Sequence, residues 1–363
     1  MSSPKLRLAV IGLGHLHPRA YMPLFEAQAG LEVTAAYDPD AARRAAFCQD
    51  YGLTGYATLD QLLEAEPLDL AAIFLPHADC EAAAVRCAAQ GLHLMIEKPM
   101  AHQADAAARI VQAARQQGVK LTTGYCWRYH PVVTAMREAL AQGAVGRVVS
   151  VEARLAAGRV GRYLEGGAEW MLQKARSGGG PLMNLGVHWI DLLQFLLGDR
   201  IAEVCARHGA ASDAYDIEDH TAALLRFANG VAGVLTTSYV VPDCFPNGRD
   251  LYIGIKGTHG TLSYAPGYEG ESGSSAAGQT DVLECYSDAP ALAGAGVRRL
   301  AFQLDRVPGY SGYMGQAYVA NFVAMIQDQA PPMITPDEAL SVLRVVAAMY
   351  RSGETRSWEA VCA

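Results

Sequence analysis

The sequence predicts an α/β protein in two parts: an N-terminal doubly wound parallel sheet, then a C-terminal α+β region built on an open, mostly antiparallel sheet. Three observations carry this prediction. Through the first third of the chain, short continuous apolar runs alternate with helical patterns, as strands buried on both faces of a parallel sheet must. A glycine turn joins the first of those runs to the first helical pattern. After about residue 125 the runs tend to alternate in polarity, and Asn229-Gly230, a hairpin dipeptide, separates two of them.

In chain order, strands are expected over residues 6–12, 33–37, 70–75, 92–96 and 119–123. Between the last two, residues 104–117 put Ile110, Val111 and Ala114 on one helical face, with Gly118 able to cap the end. Thr58, three residues before Gln61, has the spacing of a capping box that opens another helix. The second part offers strands over 145–155, 202–207, 221–227, 231–239 and 251–256. The Gly-, Ser- and Ala-rich stretch 266–280 reads as a surface loop, and 317–327 and 336–351 as amphipathic closing helices. The expected division is 1–124 and 125–363.

Composition narrows the function classes. With 363 residues, 51% apolar and 18% charged, the chain is long enough for two domains with buried cores. A formal charge of −8 repels a phosphate backbone, which excludes nucleic acid as the expected partner. No run approaches the ~18 apolar residues of a membrane span. The start, Met1-Ser2-Ser3-Pro4-Lys5, leads straight into a strand-like run and leaves no room for a signal peptide. Eight cysteines without any C-x-x-C pair read as reduced thiols of a cytoplasmic protein, not as a disulfide frame or zinc site.

The chemistry starts at Gly12-Leu13-Gly14-His15-Leu16-His17, where a strand runs through a glycine turn into a helix. Gly12 permits the tight turn, and Gly14 lets a pyrophosphate approach the backbone at the helix N-terminus. His17 stands where Gly or Ala usually completes the pattern. Asp38 ends the next strand, 26 residues after Gly12, where a carboxylate can accept from both ribose hydroxyls of an adenosine and repel a 2′-phosphate. Gly12, Gly14, His15, Leu16 and Asp38 are therefore cofactor-binding candidates, with NAD the expected cofactor. His15 and His17 have the spacing of a metal pair, but no third ligand is evident in sequence, so no metal is expected.

Three further stretches complete a pattern: Glu97-Lys98-Pro99 after one strand, Gly124-Tyr125-Cys126-Trp127-Arg128 after the next, and Gly178-Gly179-Gly180-Pro181-Leu182-Met183-Asn184-Leu185-Gly186-Val187-His188-Trp189-Ile190-Asp191. With the glycine turn, and through to the closing Tyr350-Arg351-Ser352, the chain resembles the Gfo/Idh/MocA family of nicotinamide-dependent oxidoreductases. The resemblance implies an N-terminal Rossmann domain and a C-terminal domain whose sheet forms a substrate wall and an oligomer interface, hence a homodimer or homotetramer. It implies Lys98 beside the nicotinamide, His188 as the acid/base group, and Pro99 in a cis bond. It adds Leu75, Pro76, His77, Glu97, Lys98, Pro99 and Trp170 to the cofactor candidates. Lys98, Tyr125, Trp127, Arg128, Tyr163, Asn184 and His188 become substrate-binding candidates, with Trp127 and Arg128 either lining the site or supporting it. Asp191, one helical turn beyond His188, is a candidate to orient it.

The sequence also departs from the family pattern. Asn184 stands where many members carry Asp, which excludes a carboxylate relay at that position. Leu75-Pro76-His77 replaces the usual Thr-Pro-Asn, and Met171 follows Trp170 where Arg is common. Arg154, Arg159, Arg162 and Arg176 precede the histidine, as a solvated face or an anion-binding pocket. The expected activity is NAD-dependent interconversion of a secondary alcohol and a ketone on a sugar, sugar derivative or cyclitol. The alternatives are an NAD-assisted glycoside-cleaving or elimination enzyme of the same fold, and a non-catalytic ligand sensor.

Overall fold

A computed structural model describes residues 5–242, 245, 248–265, 280–290 and 296–362. Of the loop expected over 266–280, all but Thr280 lies outside the described residues. The chain forms two compact units: Met1–Tyr125 with Gly161–Gly179 and Pro308–Leu343, and Cys126–Val160 with Gly180–Val307 and Arg344–Ala363. The single cut at 124/125 expected from sequence is therefore replaced by several crossings. The returning segments are tied into the first unit by specific bonds: Trp170 Nε1 donates to Gly14 O (2.9 Å), and Tyr310 N donates to Ala20 O (2.8 Å). Such long-range ties leave no local trace in composition.

The first unit holds β1 (Leu6–Ile11), β2 (Leu31–Tyr37), β3 (Thr54–Tyr56), β4 (Leu70–Ile73), β5 (His93–Ile96) and β6 (Leu121–Thr123). They form one sheet in the order β3-β2-β1-β4-β5-β6, with every pair parallel. Leu8 to Ile11 are wholly buried, the reason the run is continuously apolar. The strand order reverses between β1 and β4, and in such sheets the crevice beyond the carboxyl ends at that point takes ligands. The helix Ala104–Gln117 has the expected bounds, buries Ile110, Val111 and Ala114, and ends at Gly118 in the left-handed region (φ 66°). Thr58 Oγ1 accepts from Gln61 N (3.2 Å), the predicted cap. The sequence reading missed β3, a three-residue edge strand too short to show periodicity.

The second unit holds β7 (Val148–Ala157), β8 (Ile201–Gly209), β9 (His220–Phe227), β10 (Ala232–Ser238), β11 (Arg249–Gly257), β12 (Gly260–Tyr264), β13 (Thr280–Ser287), β14 (Val297–Gln303) and β15 (Glu359–Ala360). Their order is β14-β13-β12-β11-β7-β10-β9-β8-β15, antiparallel throughout except for β7 beside β10. Val151, Ala153, Leu155 and Ala157 of β7 alternate inward, as a sheet with one covered face requires. Asn229-Gly230 turns β9 into β10 with Gly230 at φ 89°. The helix Val187–Leu197 is almost wholly apolar because it is buried, and it packs on β7. Among the described residues, no helix is long and apolar enough to cross a membrane.

Candidate active site

In the first unit, a cleft of about 660 Å³ opens beside the glycine turn. Six of the predicted cofactor residues line it: Gly12, Gly14, Asp38, Leu75, Pro76 and Trp170. Gly12 has φ 87°, and a Cβ there would come within 2.8 Å of the backbone nitrogen of Leu75, so the end of β1 passes β4 only as glycine. Asp38 is buried and fixed from two sides. Its Oδ2 accepts from Leu13 N (2.7 Å) and its Oδ1 from Asp40 N (2.9 Å), which ties the carboxylate to the glycine turn. Arg43 Nη1 lies 3.4 Å from Oδ1, a guanidinium that the sequence reading did not single out. Its signal was faint: one of two arginines in the helix that begins three residues after Asp38. Arg86 and Arg176 also line the cleft, each beside a carboxylate that lines it too, Asp60 and Asp79 respectively. Trp170 is held by its bond to Gly14 O, so its indole pins the turn itself.

The other predicted cofactor residues of this unit gather at the ends of β1, β4 and β5. Lys98 is buried, and the Lys98–Pro99 bond is cis. His77 Nδ1 meets Ser177 O at 2.7 Å and must donate to it, since a carbonyl only accepts. Burial pushes the His77 imidazole down to about 4, so the ring is neutral near pH 7. Burial, and next the neighbouring His17, hold His15 well below the ordinary imidazole range. Leu16 approaches Gly166, where a Cβ would come within 2.2 Å of its Cδ2.

The structure supplies the third ligand that the H-x-H pair lacked in sequence. Ligand atoms of His15, His17 and Glu97 lie within 4.8 Å of one another, and His17 Nδ1 is 3.2 Å from Glu97 Oε1. The donor chemistry nevertheless disfavours a metal. His15 Nδ1 accepts from His17 N (3.1 Å), so the neutral ring carries its proton on Nε2 and has no lone pair there. A metal-bound histidine does the opposite, donating through its other nitrogen. Tetrahedral ligand atoms would also stand closer, about 3.4 Å apart. Imidazole N–H groups around a buried carboxylate describe the cluster better.

In the second unit, Asn184 lies on a single π-helical turn, Leu182–Gly186, which runs directly into Val187–Leu197. Such turns recur at functional positions. Asn184 Nδ2 donates to Tyr239 Oη (3.1 Å). His188, the second residue of the following helix, is buried to 6% exposure. Asp191, the candidate orienting partner of His188, is held by an arginine. Its two carboxylate oxygens accept from Arg128 Nε (2.9 Å) and Nη2 (2.6 Å), a bidentate pair with both side chains buried. Arg128 thus faces Asp191, with its guanidinium over Phe195 (4.5 Å). Trp127 meets Trp189 edge to face (4.9 Å). These contacts tie Trp127 and Arg128 to the helix Val187–Leu197.

Lys98, Tyr125 and Tyr163 belong to the first unit, and Trp127, Arg128, Asn184 and His188 to the second. Tyr163 Oη accepts from Arg162 Nη2 (2.6 Å), and both tyrosines are buried. The run of arginines from 154 to 176 is divided between the units. Arg154 pairs with Asp250 (2.7 Å) and Arg176 approaches Asp79 (3.5 Å), so these two act as paired surface charges.

A family model described as an oxidoreductase family with an NAD-binding Rossmann fold matches residues 6–125, and one for the GFO/IDH/MocA C-terminal domain matches 133–263. The 1,5-anhydro-D-fructose reductase of Ensifer adhaerens is 32% identical over 208 residues, 56% of this chain and 60% of that protein. The D-xylose 1-dehydrogenase (NADP(+)) 2 of Haloferax volcanii is 24% identical over 359 residues, 96% of this chain and 98% of that one. Among solved structures, GenD2 from gentamicin A biosynthesis, in complex with NAD, superposes with a TM-score of 0.80 at 26% identity, covering 99% of this chain and 97% of its own.

Proposed function

For this chain, a member of the GFO/IDH/MocA family of oxidoreductases, we propose NAD-dependent hydride transfer to or from a secondary alcohol or ketone of a sugar, sugar derivative or cyclitol. The sugar class is supported by relatives such as the anhydrofructose reductase. The observation that carries the cofactor choice is Asp38: a buried carboxylate anchored to the glycine turn within a cleft lined by three arginines. A dinucleotide fits these residues, with ribose hydroxyls on Asp38 and the diphosphate at the backbone of the Gly12–Gly14 turn. When bound, the nicotinamide accepts or donates the hydride.

The protein's own groups then have separable tasks. Oxidation requires a base within hydrogen-bond reach of the substrate hydroxyl, and His188 takes that proton. Lys98 donates to the same oxygen and stabilises developing alkoxide charge. Asn184 cannot take a proton and orients substrate. Should His188 prove not to be the base, Tyr125 and Tyr163 are next in line.

Cofactor choice is open to direct test. With NADP, the 2′-phosphate meets the Asp38 carboxylate and loses its hydrogen bonds, so NAD is favoured by about a hundredfold, on the order of 3 kcal/mol. Removing the carboxylate in Asp38→Ala releases Arg43 to pair with a 2′-phosphate, and the preference narrows. Equal affinities of the parent for NAD and NADP in a titration would refute this reading.

The outward face of the antiparallel sheet pairs Leu224 with Val234, both more than 40% exposed, and we extend the proposal to a homodimer or homotetramer that covers them. A strictly monomeric sedimentation profile at micromolar concentration would rule that out. The buried free thiols of Cys80, Cys87 and Cys126 suit a reducing, cytoplasmic setting.

A further inference from the structure

The segment that carries Asn184 and His188 starts at backbone N–H groups that a remote carboxylate holds. Glu218, between β8 and β9, accepts from Gly180 N through Oε2 (2.9 Å) and from Leu182 N through Oε1 (3.2 Å). Tyr350 Oη donates to the same Oε1 (2.9 Å). The first N–H groups of a helix have no intrahelical partner, and an anion there also complements the helix dipole. The approach is close enough to dictate a residue: a Cβ on Gly180 would lie 1.8 Å from Glu218 O. This gives the third glycine of the motif a steric reason. Thr237 Oγ1 donates to Pro181 O (3.2 Å), fastening the intervening residue to β10. Burial, and then the Glu218 carboxylate, keep the Tyr350 hydroxyl far above its ordinary range, so it remains a donor.

We propose that Glu218, itself fixed by Tyr350, is a positioning residue that sets the register of the segment 180–188 and thereby the placement of Asn184 and His188. The inference rests on the reading of His188 as the acid/base group. A π turn holds one more residue per turn than an α turn, so the side chains beyond it depend on where the run is anchored. A displacement of about 1 Å at a reacting group can cost about a hundredfold in rate.

The test uses the full-length enzyme with Glu218→Ala, Glu218→Gln and Tyr350→Phe, read two ways. Amide hydrogen exchange over 180–188 should accelerate about tenfold or more in Glu218→Ala, with NAD affinity within about twofold of the parent. In the same variant kcat should fall about 10- to 100-fold while KM moves less than about threefold. Glu218→Gln, which keeps an acceptor oxygen, should recover part of both losses, and Tyr350→Phe should fall between it and the parent. Unchanged exchange over 180–188, or a parental kcat with only a lowered melting temperature, overturns the proposal. If Glu218→Ala does not fold, Tyr350→Phe decides by the same two readings. A parental kcat in His188→Ala would remove the acid/base reading instead, while the exchange result still judges the clamp.

Discussion

The two units secure their chemical groups by opposite means. In the first, a parallel sheet delivers its strand ends to one edge, so Gly12 after β1, Asp38 after β2 and Lys98 after β5 are each placed first by the strand they follow, with Trp170 and Ser177 adding distant ties to Gly14 and His77. The long tie from Asp38 to Leu13 merely joins two neighbouring strand ends. In the second unit the groups ride on one helical run and are held by side chains far away in sequence. Arg128 and Asp191 are 63 residues apart, Asn184 and Tyr239 are 55 apart, and Tyr350 and Glu218 are 132 apart. An antiparallel sheet wall has no common edge of strand ends to present, so helix-borne groups need lateral anchors.

The strongest way to break this contrast is at the buried ion pair. Arg128→Met leaves the Asp191 charge buried without its bidentate partner, and should destabilise the second unit by about 3–5 kcal/mol. NAD binding by the first unit should survive at low temperature, and adding Asp191→Leu should restore much of the loss. Equal melting of parent and Arg128→Met in a thermal scan would show that the pair anchors nothing. Next in size is catalysis. Lys98→Ala and His188→Ala should each lower turnover by about a hundredfold or more with NAD affinity retained, since the proposal gives one the developing alkoxide charge and the other the proton.

A smaller effect isolates the first unit. An unfolded imidazole takes up a proton near pH 6.5, whereas His77 stays neutral in the folded chain until about 4. Between those values the unfolded state binds more protons, so stability falls as the pH falls through that window, by up to about 3 kcal/mol. His77→Gln, which can still donate to Ser177 O, should flatten that part of a pH–melting curve. A slope in the variant equal to that of the parent would assign it to other groups. The smallest effect is expected at Asn184→Ala, which should mainly raise KM, with kcat within about tenfold of the parent.

How much could be read in advance follows the same division. The strands of the first sheet apart from β3, the Thr58 cap and the Gly118 stop were legible because each is a local pattern of period, cap or turn. The glycine turn with Asp38, and the short motifs around Lys98 and His188, were legible because strand-end and helix-start chemistry is compressed into a few residues. In the second unit β12, β13 and β14 went unread, since they lie toward the sheet edge and alternate with charged or small residues. Arg128 as a partner of Asp191 went unread, because helical spacing shows who is near His188 but not which side chain on another element meets the carboxylate. Glu97 as companion to His15 and His17, and Glu218 as the anchor of Gly180, needed the fold, because nothing in the chain links residues that far apart.

The central claim is hydride exchange between a nicotinamide held by the first unit and a carbohydrate alcohol served by Lys98 and His188. It is tested most directly by absorbance at the NADH band, with purified protein, NAD and a panel of sugars, sugar acids and inositols, for the parent beside His188→Ala. The account predicts net NADH from at least one polyol with the parent, and about a hundredfold less with the variant. NAD binding without NADH from any member of the panel, or equal rates in the two proteins, would contradict it.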